Sequence, residues 1–225
     1  KDGYFTVRNL TGQQLVWEDF QVPGYICRDQ AHTYTYYNDT PPIYKPNPAA
    51  PEVFHVWRDT IPPADNLTNV YGRLGSPSLD STFSVWLKTQ MRIKPGLDPD
   101  ADLQFTLHHD PIPPSDYAHR TAASQQYNWS FSIDVTHGGI IQTQDAYLYQ
   151  APTNGYKPHY EFHRLATDPF PVYVNGNQSE SAFYVKCRDG QVYAALRITA
   201  ERGAGFDIIG CMNDQGSTNL RPARR

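Results

Sequence analysis

Two clusters of imidazole and carboxylate groups carry the sharpest chemistry in the sequence. In His159-Tyr-Glu161-Phe-His163 the polar residues stand at alternate positions. On a β-strand, positions i, i+2 and i+4 share a face. Two imidazoles and a carboxylate on one face are ligand types suited to zinc or iron. An exposed strand face with Tyr160 and Phe162 beneath it explains the same pattern without a metal. Upstream, His108-His109-Asp110 supplies a His-x-Asp pair, with His159 or His163 following. A His-x-Asp…His triad on a jelly roll is how non-haem iron oxygenases hold Fe(II). The bland reading is a strand end entering a turn, because Asp110 leads into Pro111-Ile-Pro-Pro-Ser115.

A third acidic group, Asp98-Pro-Asp100-Ala-Asp102, alternates carboxylates in the manner of a calcium loop, or is a polar turn between strands. Calcium and a transition metal are therefore the only ion candidates, and no cofactor motif is present. Nucleophilic catalysis has no support. There is no Gly-x-Ser-x-Gly elbow, and Cys187 falls on an apolar strand face where a thiol is inert. No phosphate-cradling glycine loop appears.

Aromatic side chains on loops and outward strand faces form the other candidate site. Tyr34, Tyr36, Tyr37, Tyr44, Trp57, Trp86 and Tyr184 offer rigid surfaces on which a sugar or a protein could pack. Trp86 is the sharpest, because it alternates away from Phe83, Val85 and Leu87. Five N-x-S/T sequons, at Asn9, Asn38, Asn66, Asn128 and Asn177, exceed what the Asn and Ser/Thr content gives by chance. They point to a secreted, surface-exposed glycoprotein.

The elements that must position these residues read as β. Strands with period-2 alternation are expected at Thr82–Lys88, Asp102–His108 and Tyr127–Val135. The loop Thr136–Gly139 then predicts a hairpin into Ile140–Tyr149, its glycines supplying positive φ. Ala182–Arg188 and Gln191–Thr199 flank Asp189-Gly190, a type I′ turn signal. The apolar sorting sets the register: Cys187 opposite Val192, Val185 opposite Ala194, Phe183 opposite Leu196. Phe206–Met212 completes a meander, which would hold the outer strands about 9–10 Å apart and make a Cys187–Cys211 disulfide unlikely. Cys27 is the third cysteine, so the three cannot all pair within the chain. Strands are also expected at Tyr4–Asn9, Leu15–Phe20 and Val53–Trp57, separated by an irregular Pro- and Tyr-rich segment at about 21–66.

Composition narrows the classes. Thirty aromatic residues are too many for a disordered chain. Nineteen prolines spread along 225 residues oppose a helical bundle. A net charge of −4 argues against nucleic acid as a partner, and no apolar run is long enough to span a membrane as a helix. The chain begins at Lys1 without an apolar leader, which reads as a processed or excised form.

The whole predicts one domain over 1–225, an all-β antiparallel sandwich or jelly roll with long loops and little helix. It is expected to be a non-catalytic extracellular module acting through its surface, in adhesion, carbohydrate binding or assembly. Its partner would be a protein or glycan surface, including further copies of itself as a homo-oligomer or larger assembly. One alternative is a metal-dependent jelly-roll enzyme using His108, Asp110 and His159 or His163. The other is a structural subunit of a filament or shell. In its proline- and aromatic-rich, loop-heavy β composition the chain is similar in class to projecting domains of viral capsids.

Overall fold

Alternating apolar and polar residues pay off only when one face of each strand is buried, and the computed structural model of this chain has that arrangement. It describes residues 14–17, 23–27, 32–35, 56–58, 60–75, 80–87, 91–111, 128–144, 149–168, 178–201 and 205–222. The chain divides into two compact units, Lys1–Thr60 and Ile61–Arg225. The sequence alone reads as one continuous domain; the division falls inside its proline-rich segment.

In the first unit, strand β1 (Gln14–Trp17) pairs antiparallel with β3 (His32–Thr35), and β2 (Tyr25–Cys27) with β4 (Val56–Arg58). Strands β1 and β4 overlap the expected Leu15–Phe20 and Val53–Trp57. β3 lies in the Tyr-rich stretch that reads as irregular. Tyr4–Asn9 falls outside the described residues.

The second unit is a β-sandwich of two antiparallel five-stranded sheets. Its strands are β5 (Leu67–Gly75), β6 (Asp80–Trp86), β7 (Arg92–Pro95), β8 (Leu103–His109), β9 (Trp129–Val135), β10 (Gly139–Thr143), β11 (His159–Arg164), β12 (Gln178–Cys187), β13 (Val192–Glu201) and β14 (Gly205–Asn213). One sheet runs β10-β12-β13-β14-β5 and the other β11-β9-β8-β6-β7. The core forms between them. Phe83, Val85, Leu103, Phe105, Leu107, Trp129, Phe131 and Ile133 come from one sheet. Phe183, Val185, Leu196, Ile198, Phe206 and Ile208 come from the other. Rings from the two sheets touch: Phe105 and Phe206 lie 5.2 Å apart, Tyr160 and Phe183 4.8 Å.

The meander β12-β13-β14 has the register that apolar sorting dictates: Cys187 opposite Val192, Val185 opposite Ala194 and Phe183 opposite Leu196. Its first turn has positive φ at both central residues, Asp189 (56°) and Gly190 (87°). The Gln191 N–H donates to the Arg188 carbonyl across it at 3.1 Å. This is the geometry of a type I′ turn.

Two expectations are overturned. β9 and β10 do not form a hairpin: β9 is flanked by β8 and β11, whereas β10 pairs with β12 in the opposite sheet. Both edges of β9 are taken, so the chain crosses the sandwich at residues 136–138. Nor do the glycines there supply positive φ; His137 does, at 51°. Gly138 is required for closeness, since a Cβ on it would stand 1.8 Å from the Lys186 carbonyl oxygen. β5, a nine-residue edge strand, carries no expectation from the sequence, since glycine, asparagine and arginine interrupt its apolar alternation.

Candidate functional site

The histidine-rich face is built by β11, β9, β8 and β6. Its polar side chains point to solvent because their alternates, Tyr160, Phe162, Phe131, Ile133, Phe105 and Leu107, form or pack against the core. His159 Nδ1 lies 2.7 Å from Asp134 Oδ1, and His163 Nε2 lies 3.0 Å from Glu161 Oε1. His108 pairs with Asp80. Asp110 Oδ2 accepts from Asn128 Nδ2 at 2.8 Å. Glu161 stands between the two histidines of its strand, with its other oxygen 3.9 Å from His159 Nε2, so these imidazoles are engaged in ion pairs along the sheet face.

The facial-triad expectation fails on register. His108 and His163 both oppose Ser130, on its two sides, which sets them two strand spacings apart, about 9–10 Å. His109 points inward, its ring nitrogen 2.9 Å from the Asp110 carbonyl oxygen. Among the described residues, no three His, Cys, Asp or Glu side chains stand where they could hold a metal ion. The expectation for His108, Asp110, His159, Glu161 and His163 is corrected accordingly.

The calcium expectation fails for a different reason. Asp102 is 4% exposed and its carboxylate is spent on the frame. Arg188 Nε donates to Oδ1 at 2.8 Å and Nη2 to Oδ2 at 2.6 Å, a bidentate pair. The Leu87 N–H donates to Oδ2 at 2.7 Å, while Arg188 Nη2 also reaches the Leu87 carbonyl at 3.0 Å. Asp98 Oδ1 accepts from the Asp100 N–H at 3.0 Å, as in a local turn. Asp102 and Arg188 therefore clamp the two sheets together at one end of the sandwich.

Other buried polar groups serve the frame too. Ser84 Oγ donates to the Gly96 carbonyl and accepts from the Asp98 N–H. Asn213 Oδ1 accepts from the Gln215 and Ser217 N–H groups. Cys187 and Cys211 are free thiols on opposite faces of one sheet, Cys187 in the core and Cys211 beside the outer cluster. Burial, then the nearby Asp102 carboxylate, pushes the Cys187 thiol far up. Burial pushes Cys211 up to about 11. Both stay neutral and poorly nucleophilic at neutral pH.

The aromatic candidates separate. Trp86 has the Arg92 guanidinium 5.1 Å and the Lys94 ammonium 5.6 Å from its ring centroid, so cations already occupy its face. Tyr184 does lie on the outer side of its sheet, but it is 3% exposed. It packs with Tyr193, Ala195, Ala151 and Leu220 in a second cluster that Ile141 and Tyr156 help to close. Its ring is therefore covered, which corrects the expectation of an outward stacking surface. Tyr34 and Trp57 sit in β3 and β4, with side chains outside the described residues; Tyr36, Tyr37 and Tyr44 lie wholly outside them. Of the sequons, Asn66 and Asn128 are exposed, and Asn9, Asn38 and Asn177 lie outside the described residues.

Among the described residues, one pair of exposed apolar side chains stands side by side that the sequence does not reveal. Tyr71 on β5 is 65% exposed and Ile209 on β14 is 54% exposed, and the two are direct cross-strand partners. Arg197 on β13 flanks Ile209, and Arg73 with Asp207 forms the next rung. Ile209 was detectable, since it alternates against buried Ile208 and Phe206. Tyr71 was not, because β5 itself was unrecognised. No protein-family model, curated protein or solved structure matches the chain significantly.

Proposed function

We propose that the Ile61–Arg225 unit is a non-catalytic extracellular β-sandwich that acts through its surface, as an adhesion or assembly module. The observation that carries this reading is the solvent-facing Tyr71–Ile209 pair on the outer face of β5 and β14. Large apolar side chains placed side by side in water, rimmed by Arg73, Asp207 and Arg197, have the make-up of a contact surface. Two further features support it. The buried acid, Asp102, and the buried thiol, Cys187, are committed to the frame. The sequon surplus fits an extracellular setting. Sugar stacking on Trp86 is the less favoured form, since a sugar would have to displace Arg92 and Lys94.

The test compares the wild-type chain with the Tyr71→Ser/Ile209→Ser double variant, using light scattering for self-association, a glycan array and binding to cells. The wild type is expected to show at least one such interaction. The variant, with an unchanged far-UV circular dichroism spectrum, is expected to lose it. A folded wild type that remains monomeric and binds no glycan or cell contradicts the proposal, as does a variant that binds like wild type.

A further inference from the structure

A sheet edge exposes unpaired N–H and C=O groups, and proteins usually blunt such edges. Three of the four edges in this sandwich are blunted. β7 is four residues long, carries Arg92 and Lys94, and ends in Pro95. β10 is covered by backbone bonds in both directions between Ile140 and Lys157, at 2.8 and 3.2 Å. β11 presents His159, Glu161, His163 and Arg164. β5 has none of these devices. It is nine residues long and has no proline or lysine. Its inward positions are Val70, Gly72 and Leu74, and its one charge, Arg73, is turned outward towards Asp207. Among the described residues, no strand pairs with its outer side.

We infer that β5 pairs antiparallel with β5 of a second copy of this chain, about a two-fold axis at Tyr71, joining two five-stranded sheets into one. This rests on the surface-acting reading above and names its partner. Antiparallel pairing of a strand with itself is the isologous contact that two-fold symmetry produces. The charges select the register. Centring on Tyr71 sets Arg73 opposite Asn69 of the other copy and keeps the two arginines four positions apart, about 13 Å. Centring on Arg73 would place like charges face to face, which is destabilising. The Tyr71 register also aligns Ile209, Tyr71, Tyr71 and Ile209 as one apolar row across the axis, with aromatic rings directly opposed. Inward, Val70 meets Gly72, so no charge is buried.

Cross-linking and sedimentation of the full chain, made without N-linked glycans, test this. In the Tyr71→Cys variant the two new thiols face each other with Cα atoms about 4.5–5.5 Å apart, within disulfide range. Mild oxidation is expected to yield a covalent dimer absent from identically treated wild type. The Ile209→Cys variant places its thiols three strand spacings apart, about 14 Å, and is expected to stay uncross-linked. Tyr71→Lys sets two ammonium groups in opposition and is expected to weaken self-association at least tenfold. A Tyr71→Cys chain that stays monomeric overturns the inference, and so does an Ile209→Cys chain that cross-links as readily. If the wild type is monomeric yet binds cells or glycans through Tyr71 and Ile209, only the second copy is wrong. If it is monomeric and binds nothing, the surface reading falls as well.

Discussion

At the scale of single residues, Asp102 and Arg188 matter most to the frame. Replacing Arg188 with Ala leaves a 4% exposed carboxylate with the Leu87 N–H and the Cys187 thiol as donors but no counter-charge. Removing one partner of a buried pair costs about 3–5 kcal/mol; Arg188 is itself partly exposed, so the lower end, about 3 kcal/mol, is expected in urea unfolding. Arg73→Ala removes a pair whose arginine is largely exposed and whose Nε–Oδ1 distance of 3.6 Å is too long for a hydrogen bond, although Asp207 Oδ1 is itself buried; the loss in stability should stay within about 1 kcal/mol. The thiols give a pH prediction. Cys211 has its folded pKa raised from 9.0 to about 11, because burial favours the neutral thiol. Its stabilising contribution is therefore fully present below pH 9 and lost as pH rises through 11. Peptide-level mass spectrometry should find Cys187 and Cys211 unlabelled by iodoacetamide at pH 8 in the folded chain and labelled in urea; fast labelling when folded would contradict the burial argument. Glycan occupancy is also residue-specific. Asn128 Nδ2 donates to Asp110 and its Oδ1 accepts from the Ala166 N–H at 2.9 Å, so a glycan there competes with the bond to Asp110. In a glycosylating host, site mapping should find Asn66 occupied ahead of Asn128.

At the scale of elements, the glycines of the strands divide by what surrounds them. A Cβ on Gly210 would stand 1.9 Å from the Ala195 carbonyl oxygen in the neighbouring strand, whereas one on Gly75 meets nothing within 4 Å. Gly210→Ala should therefore cost about 2–3 kcal/mol by forcing β13 and β14 apart, while Gly75→Ala should be neutral or slightly stabilising; thermal unfolding of the two variants decides. The elements that were legible in the sequence share a cause. β6, β8, β9, β12, β13 and β14 each bury a run of alternate apolar residues, as with Leu103, Phe105 and Leu107 on β8 and Trp129, Phe131, Ile133 and Val135 on β9. The Asp189-Gly190 turn was legible because only a few residue types accept positive φ at both positions. β5 was hidden because an edge strand needs only Val70 and Leu74 inward and tolerates glycine between them. The β9–β10 crossover was hidden because a glycine needed for closeness looks the same, in sequence, as one needed for positive φ. The Asp102–Arg188 clamp joins residues far apart in the chain, and nothing local in the sequence pairs them.

At the scale of the whole molecule, the two sheets hold a continuous aromatic core, in which Phe206 touches Phe105 and Phe131 at 5.2 and 5.6 Å. Phe206→Ala should cost about 3–5 kcal/mol without altering the Tyr71–Ile209 surface, which separates loss of fold from loss of contact. The histidine–carboxylate pairs lie on the outer face of one sheet, and the Tyr71–Ile209 row lies on the outer face of the other. The proposed function rests on the latter because its apolar groups face water on an edge strand that lacks the usual protection. Amide hydrogen exchange of the full chain, followed as protein concentration rises, tests this most directly. The amides of Leu67–Gly75 should become markedly slower to exchange at high concentration, while the interior strands β12 and β13 remain unchanged. Exchange in Leu67–Gly75 that is fast and independent of concentration would contradict the assignment of β5 as the assembling edge.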